Sequence, residues 1–257
     1  MIVLVGVLIL SLCLYMYLEA HRTHVEKREL YLPGFPRSFD GVRLFFITDI
    51  HFRAVSDRII EQIRGTADII IIGGDLLEKN VPFQRAEENI KKLRAIAPVY
   101  FVWGNNDYEA DFRRLDVMLM EQGVTILDNT AVTFEQEDEK LILVGVDDVG
   151  HHRDRLDLAL KDSENGYRIL VSHYPDIIDK VPTDAGIGLV LSGHTHGGQI
   201  RFLGFGLREK GGVKTVGRIV QVISNGFGTT RVPFRLGARA ETHLFTLRAK
   251  SPETRDK

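Results

Sequence analysis

Apolar positions fall into two regimes along the chain. The first is one block: residues 2–18, IVLVGVLILSLCLYMYL, carry no charge and no polar face. The second begins at Val42 and alternates. Short, nearly continuous runs of Val, Ile, Leu and Phe occupy residues 44–48, 69–72, 98–102, 141–146, 169–172, 189–192, 219–224 and 243–247. Runs of that length and composition predict strands, several of them buried on both faces. Between the early runs, residues 57–64, 85–95 and 112–122 carry helical patterns. The alternation predicts an α/β layered domain. The shorter connections between the later runs predict a sheet that is mixed or partly antiparallel. No internal repeat or low-complexity tract interrupts the pattern.

The N-terminal block lies at the short end of the roughly 17–25 residues that a membrane-spanning helix requires. Tyr15 and Tyr17 stand near its C-terminal end, where interfacial aromatics collect. A cleaved signal peptide is the alternative. Against it, no Lys or Arg precedes the block, and Leu18-Glu19-Ala20 is a weak cleavage site. The expectation is therefore an uncleaved single-pass anchor over residues 1–20. Arg22, Lys27 and Arg28 follow it, and the positive-inside rule then places the rest of the chain at the cytoplasmic face of the cell membrane. Residues 21–40, punctuated by Pro33, Gly34 and Pro36, read as a tether, 41–250 as one folded domain and 251–257 as a polar tail.

Composition narrows the function classes. Of 257 residues, 44% are hydrophobic and 26% charged, with a formal net charge of −2. That balance suits one large globular domain and, with no basic block, argues against a nucleic-acid partner. The single cysteine, Cys13, rules out an intramolecular disulfide and a cysteine-rich zinc site. Oligomeric state is left open.

The chemistry sits where strand-like runs end. LFFIT is followed by Asp49-Ile50-His51, DIIII by Gly73-Gly74-Asp75, and VYFVW by Gly104-Asn105-Asn106-Asp107. RILVS is followed by His173, and GLVLS by Gly193-His194-Thr195-His196. Open α/β sheets bind ligands outside the carboxyl ends of their strands. A crevice there would gather imidazoles, carboxylates and amides, a donor set suited to Zn, Fe or Mn rather than Mg or Ca. One carboxylate can bridge two ions, and a pair about 3.5–4 Å apart can clamp a phosphoryl group and activate water. Each short motif alone is commonplace; five of them at strand ends in one chain are not.

These five blocks, in order and spacing, resemble the calcineurin-like metallophosphoesterases over residues 33–248. The wording of LPGFPRSFDGVRLFFITDIHF, LVSHYPD, SGHTHGGQI and GFGTTRVPFRLGARAE is similar to a bacterial branch that includes UDP-2,3-diacylglucosamine pyrophosphohydrolase-like enzymes, which often carry an N-terminal membrane segment or export signal. The resemblance implies a four-layer α/β/β/α sandwich of two mixed sheets. It implies two divalent transition-metal ions, Mn, Fe or Zn. Asp49, His51 and His196 would hold one, Asn105, His173 and His194 the other, and Asp75 would bridge them. A metal-activated hydroxide would hydrolyse a phosphoester or pyrophosphate bond. The substrate would be a phosphorylated small molecule or a lipid-linked, amphipathic one. The competing readings are a phosphodiesterase acting on soluble nucleotides and a weakly catalytic scaffold that binds phosphorylated ligands.

One position departs from the family. Its third block usually reads Gly-Asn-His followed by Asp or Glu, and here Asn106 replaces the histidine while Asp107 follows as expected. The family histidine stabilises the phosphoryl oxygens and protonates the leaving group; asparagine donates hydrogen bonds but no proton. Either the leaving group needs no proton, or His151 or His152 supplies it, or the enzyme is weakened. Asp107 is expected to orient a side chain at position 106. Arg231 and Arg235 are candidates to meet an anionic substrate, with ordinary surface positions as the alternative. Phe202, Phe205 and Phe227 are candidates for an apolar entrance. Trp103 and His243 are expected to be structural.

Overall fold

The protein is described from a computed structural model over residues 1–250; the tail expected at 251–257 lies outside the described residues. The chain begins with α1 (Ile2–Ala20), β1 (Val25–Leu32), β2 (Arg43–Ile47), α2 (Asp57–Ile63) and β3 (Ile69–Ile72). It continues through α3 (Phe83–Arg94), β4 (Val99–Phe101), α4 (Asn105–Glu109), α5 (Phe112–Glu121) and β5 (Thr125–Ile126). Then come β6 (Thr130–Gln136), β7 (Glu139–Gly145), α6 (Leu156–Asp162), β8 (Tyr167–Val171) and β9 (Ile187–Ser192). The last strands are β10 (Gly212–Val216), β11 (Ile219–Ile223) and β12 (Thr242–Ala249).

The strands form two six-stranded mixed sheets, ordered β1-β12-β2-β3-β4-β5 and β10-β11-β9-β8-β7-β6. Period-two alternation explains why the central strands are apolar throughout. Leu44, Phe46 and Ile71 of the first sheet meet Leu143, Val171, Leu189 and Leu191 of the second in an inter-sheet core. The intervening Phe45, Ile47, Ile70 and Ile72 face the other way, against Ile59, Ile63, Ile90, Leu93, Leu115 and Leu119 of α2, α3 and α5. On the far side, Ile142, Val144, Leu170 and Val190 pack with Leu156 and Ala159 of α6. The layers are thus helix, sheet, sheet, helix, as the resemblance implies.

The stretch expected as a tether is the main correction. Residues 25–32 are strand β1, paired in parallel with β12 along its whole length, from Val25 opposite Thr242 to Leu32 opposite Ala249. Val25, Leu30 and Leu32 are buried, while residues 26–29 are exposed. An edge strand presents that run of charge to water, and its partner lies at the other end of the chain, so no local pattern betrays it. The first sheet therefore takes in residues 25–32.

Helix α1 is long and apolar enough to cross a membrane, and almost all of it stands clear of the domain. Its last turns are docked rather than free. The Met16 carbonyl accepts the Arg235 N–H (3.0 Å), and the Glu19 carbonyl accepts the Ala240 N–H (3.4 Å). The Glu19 carboxylate pairs with Arg22 (3.0 Å) and Arg239 (3.1 Å).

Candidate metal centre

The polar strand ends converge. β2 delivers Asp49 and His51, β3 delivers Asp75, the turn after β4 delivers Asn105, β8 delivers His173, and β9 delivers His194 and His196. Five of these seven hold left-handed backbone: Asp49 (φ 55°), His51 (51°), Asp75 (53°), His194 (66°) and His196 (49°). Non-glycine residues avoid that region, and such strain gathers at functional sites. Two glycines make room for the crossing loops. A Cβ on Gly74 would lie 2.7 Å from His173 Nδ1, and one on Gly104 would lie 2.3 Å from Asp75 Oδ1.

Two donor groups result, one of Asp49, His51 and His196 and one of Asp49, Asp75 and His173, each with its ligand atoms within 4.8 Å of one another. His51 Nε2 and His196 Nε2 lie 3.2 Å apart, and His196 Nε2 is 3.3 Å from Asp49 Oδ1. Asp75 Oδ2 faces both sides, 3.7 Å from His51 Nε2 and 3.2 Å from His173 Nε2. His194 Nδ1 is 3.1 Å from Asn105 Oδ1 and 3.3 Å from His173 Nε2. Asp75 Oδ2 thus lies between His51 and His173, while Asp49 is the residue common to both donor groups.

The outer contacts set the tautomers. His173 Nδ1 lies 2.8 Å from the Gly73 carbonyl and His51 Nδ1 lies 2.6 Å from Glu78 Oε2. In the neutral form each would carry its proton on Nδ1 and turn Nε2 inward, the arrangement metal-binding histidines adopt. Burial opposes charging His173, but the charge and hydrogen bond of Asp75 outweigh it and hold the imidazolium up at about 10. Asp75 is correspondingly held far below the carboxylate range: its burial is overcome by the charge and hydrogen bond of His173. His194 goes the other way, pushed down to about 3 by burial and by the His173 charge. Asp49 is pushed up by burial, and its Oδ1 is buried with no hydrogen-bond partner among the described residues. The inward-facing Nε2 atoms of His51 and His173, two buried carboxylates and an orphaned buried oxygen suit divalent cations.

Asn106 sits at the bridge. Its Nδ2 donates to Asp75 Oδ2 (2.7 Å), and its backbone N–H donates to Asp75 Oδ1 (2.8 Å). Asp107, expected to orient position 106, does something else. Its buried carboxylate accepts three backbone N–H groups, from Asp75 (2.8 Å), Gly104 (2.9 Å) and Leu77 (2.8 Å). It latches the β3 loop to the β4 loop. Burial and the Asp75 charge push its carboxyl up to about 7, against the Leu77 and Gly104 N–H bonds that favour the anion.

A cleft of about 680 Å³ opens over the centre, lined in part by Asp75, Asn105, Asn106, His194 and His196. Arg231 lines it, whereas His151 and His152 are not among its lining residues. His151 Nδ1 is held 2.6 Å from Asp148 Oδ2, and its ring packs against Tyr108 at 5.5 Å. Arg235 is corrected from a substrate candidate to a buried strut. It is fully buried, and its guanidinium donates to the carbonyls of Asn225 (2.7 Å), Gly228 (2.6 Å) and Ala238 (3.1 Å) while Nη2 lies 3.1 Å from His196 Nδ1. Phe227 is likewise buried, under the Arg53 guanidinium, rather than at an entrance. Trp103 is buried against Phe101 and Tyr108, and His243 is buried beside Ser224, both structural as expected. Glu78 was not foreseen; three residues past Asp75 in an irregular loop, it has no sequence pattern that announces it.

A histidine, carboxylate and amide cluster at the strand ends of two packed mixed sheets defines a metallophosphoesterase. The chain belongs to the calcineurin-like phosphoesterase family, whose sequence model matches residues 42–198. That family hydrolyses phosphoesters and uses divalent metals. The chain is similar to the uncharacterized protein YpbG of Bacillus subtilis (strain 168), 43% identical over 235 residues that cover 90% of each chain. It is also similar to a transmembrane protein with metallophosphoesterase domain of Danio rerio, 29% identical over 239 residues, covering 83% of this chain and 54% of that protein. Among solved structures it resembles the 5′-nucleotidase precursor of Thermus thermophilus, with a TM-score of 0.52, 12% identity, and coverage of 80% of this chain and 54% of that one. At that identity the likeness is one of fold alone.

Proposed function

We propose that the chain is a membrane-anchored, two-metal hydrolase whose substrate carries a leaving group already stable as an anion, such as a phosphate released from a pyrophosphate. Asp49, His51 and His196 hold one ion, Asn105, His173 and His194 the other, and Asp75 serves both. Such a pair supplies Lewis acidity and an activated water.

The observation that carries the reading is Asn106 on the bridging carboxylate, with Nδ2 2.7 Å from Asp75 Oδ2. Its amide can donate a hydrogen bond to a phosphoryl oxygen in the cleft but delivers no proton. Asp107 is engaged with three backbone N–H groups, and neither His151 nor His152 lines the cleft. A leaving group that needs no acid fits this arrangement. α1 holds the domain to a bilayer, and the Arg22, Lys27 and Arg28 flank supports a cytoplasmic domain. An amphipathic nucleotide-linked or lipid-linked pyrophosphate is the first substrate class to test.

The test is hydrolysis by the full chain with Mn²⁺. Expected are turnover of pyrophosphates and of bis-p-nitrophenyl phosphate, and poor turnover of alkyl phosphates. A wild-type protein indistinguishable from Asp75→Ala on every substrate would instead make the chain a phosphate-binding scaffold.

A further inference from the structure

We infer that residues 200–207 form a second membrane contact: an apolar wedge that enters the headgroup boundary of an anionic bilayer beside α1 and holds the mouth of the cleft against the lipid. Four large apolar side chains in six residues face water: Phe202 (72% exposed), Leu203 (82%), Phe205 (82%) and Leu207 (98%). Such a contiguous exposed patch marks an interaction surface.

The segment is built rather than loose. Phe202 and Phe205 exchange both backbone hydrogen bonds, each 2.9 Å, across a two-residue turn of Leu203 (φ 49°) and Gly204 (φ 87°). Left-handed torsions at both turn positions are those of a tight hairpin. The Arg201 guanidinium pins this hairpin from below. Nε and Nη2 donate to the Gly204 carbonyl (3.1 and 2.7 Å), and Nη1 donates to the carbonyls of Gly197 (3.0 Å) and Arg208 (2.8 Å). Gly197 follows His196, so the wedge is tied through one side chain to the backbone of the metal centre.

Its position selects a bilayer as the occupant. Arg201 N–H donates to the Leu236 carbonyl (2.7 Å), and Leu236 N–H donates to the Gln199 carbonyl (2.9 Å). The neighbouring Arg235 N–H donates to Met16 of α1 (3.0 Å). The hairpin therefore springs from a short ladder whose other strand sits on the emerging helix, where Tyr15 and Tyr17 mark the water boundary. The flanks are basic, with Arg208, Lys210 and Arg231 exposed; of the acids beside them, Glu209 is paired with Lys214 (2.7 Å), and Glu78 and Glu109 line the cleft. Apolar tip and cationic collar together match an anionic interface. Ile200, Leu207 and Arg208 also line the cleft, so a seated wedge would give substrate a path from lipid to metal centre without crossing water.

The inference rests on the membrane-bound reading above, and labelling separates the wedge from the anchor. Cys13 is the only cysteine. An environment-sensitive dye on Cys13 reports α1. The same dye on Leu203→Cys in a Cys13→Ser background reports the wedge. Asp138→Cys, in the turn between β6 and β7 at the far edge of the second sheet, serves as the aqueous control. The full chain is reconstituted in phosphatidylcholine–phosphatidylglycerol vesicles. The dye at 203 should shift to the blue and be quenched by headgroup-proximal doxyl lipid, not by iodide. Quenching at 203 by iodide alone, with Cys13 lipid-exposed, would overturn the wedge and leave the anchor standing. Lipid quenching at 203 with Cys13 in water would keep the wedge and remove the anchor; both in water removes both. As a second arm, Leu203→Ser with Phe205→Ser should keep turnover of bis-p-nitrophenyl phosphate. On a vesicle-embedded lipid phosphoester it should fall on the order of tenfold through lost positioning. Equal loss on both substrates would mean the hairpin supports the metal centre rather than a membrane.

Discussion

Asp107 offers a direct discrimination between a proton-handling residue and a latch. The three N–H groups it accepts belong to buried residues and have no other partner among the described residues. Asp107→Ala leaves all three unpaired, at about 1–3 kcal/mol each, or roughly 3–9 kcal/mol before relaxation. Asp107→Asn is milder. Its carbonyl oxygen can keep the pair from Asp75 and Gly104, but its amide then confronts the Leu77 N–H, a loss of about 1–3 kcal/mol. For a chain of this size each kcal/mol moves the melting temperature by about 2–4 °C, so Asp107→Asn should melt roughly 2–12 °C lower. Trp103, the sole tryptophan, is buried next to Gly104 and reads the melt from inside the latch. Metal content should fall with stability, because Asp75 rides on the same loop. The pH dependence of kcat at saturating metal should keep its shape. A variant with wild-type melting and metal content but a displaced pH profile would refute the latch and give Asp107 a role in proton transfer.

Three further outcomes are expected. Asp75→Ala should remove both ions by elemental analysis, while Asn105→Ala should weaken mainly one; equal retention in both would undo the bridging assignment. Asn106→His should raise turnover of an alkyl phosphate by about 10²-fold or more, the usual scale of a positioned general acid, and change that of pyrophosphates little; a uniform gain would point to binding instead. The full chain should stay with membranes through alkaline carbonate, and mature protein starting near residue 21 and free of membrane would favour a cleaved leader.

The layers and most of the centre were legible because burial writes itself into composition. β2, β3 and β9 are apolar on both faces, so their ends stand out wherever Asp49, Asp75 and His194 interrupt them. What escaped lies where burial is one-sided or assembled over distance. β1 hides behind the exposed residues 26–29 and pairs with a strand more than two hundred residues away. β6 and β10, with no fully buried residue between them, carry no run to find. Arg235 looked like a surface arginine because composition cannot distinguish a guanidinium in water from one surrounded by carbonyls. Asp107 shows the limit of a resemblance: the residue type matched, but its partners here are backbone groups of a neighbouring loop.

The left-handed torsions of Asp49, His51, Asp75, His194 and His196 bear on which metal the protein carries. Each such torsion costs on the order of 1–3 kcal/mol, and folding meets that cost with or without an ion. On the proposed assignment the ligands would be preset, and the loops would have little freedom to remodel around one metal and reject another. Divalent first-row ions would exchange through the same frame, ranked by the Irving–Williams series rather than by fit. Metal identity would then follow cellular supply, and protein produced in media enriched in manganese, iron or zinc should differ in its ions while keeping one backbone.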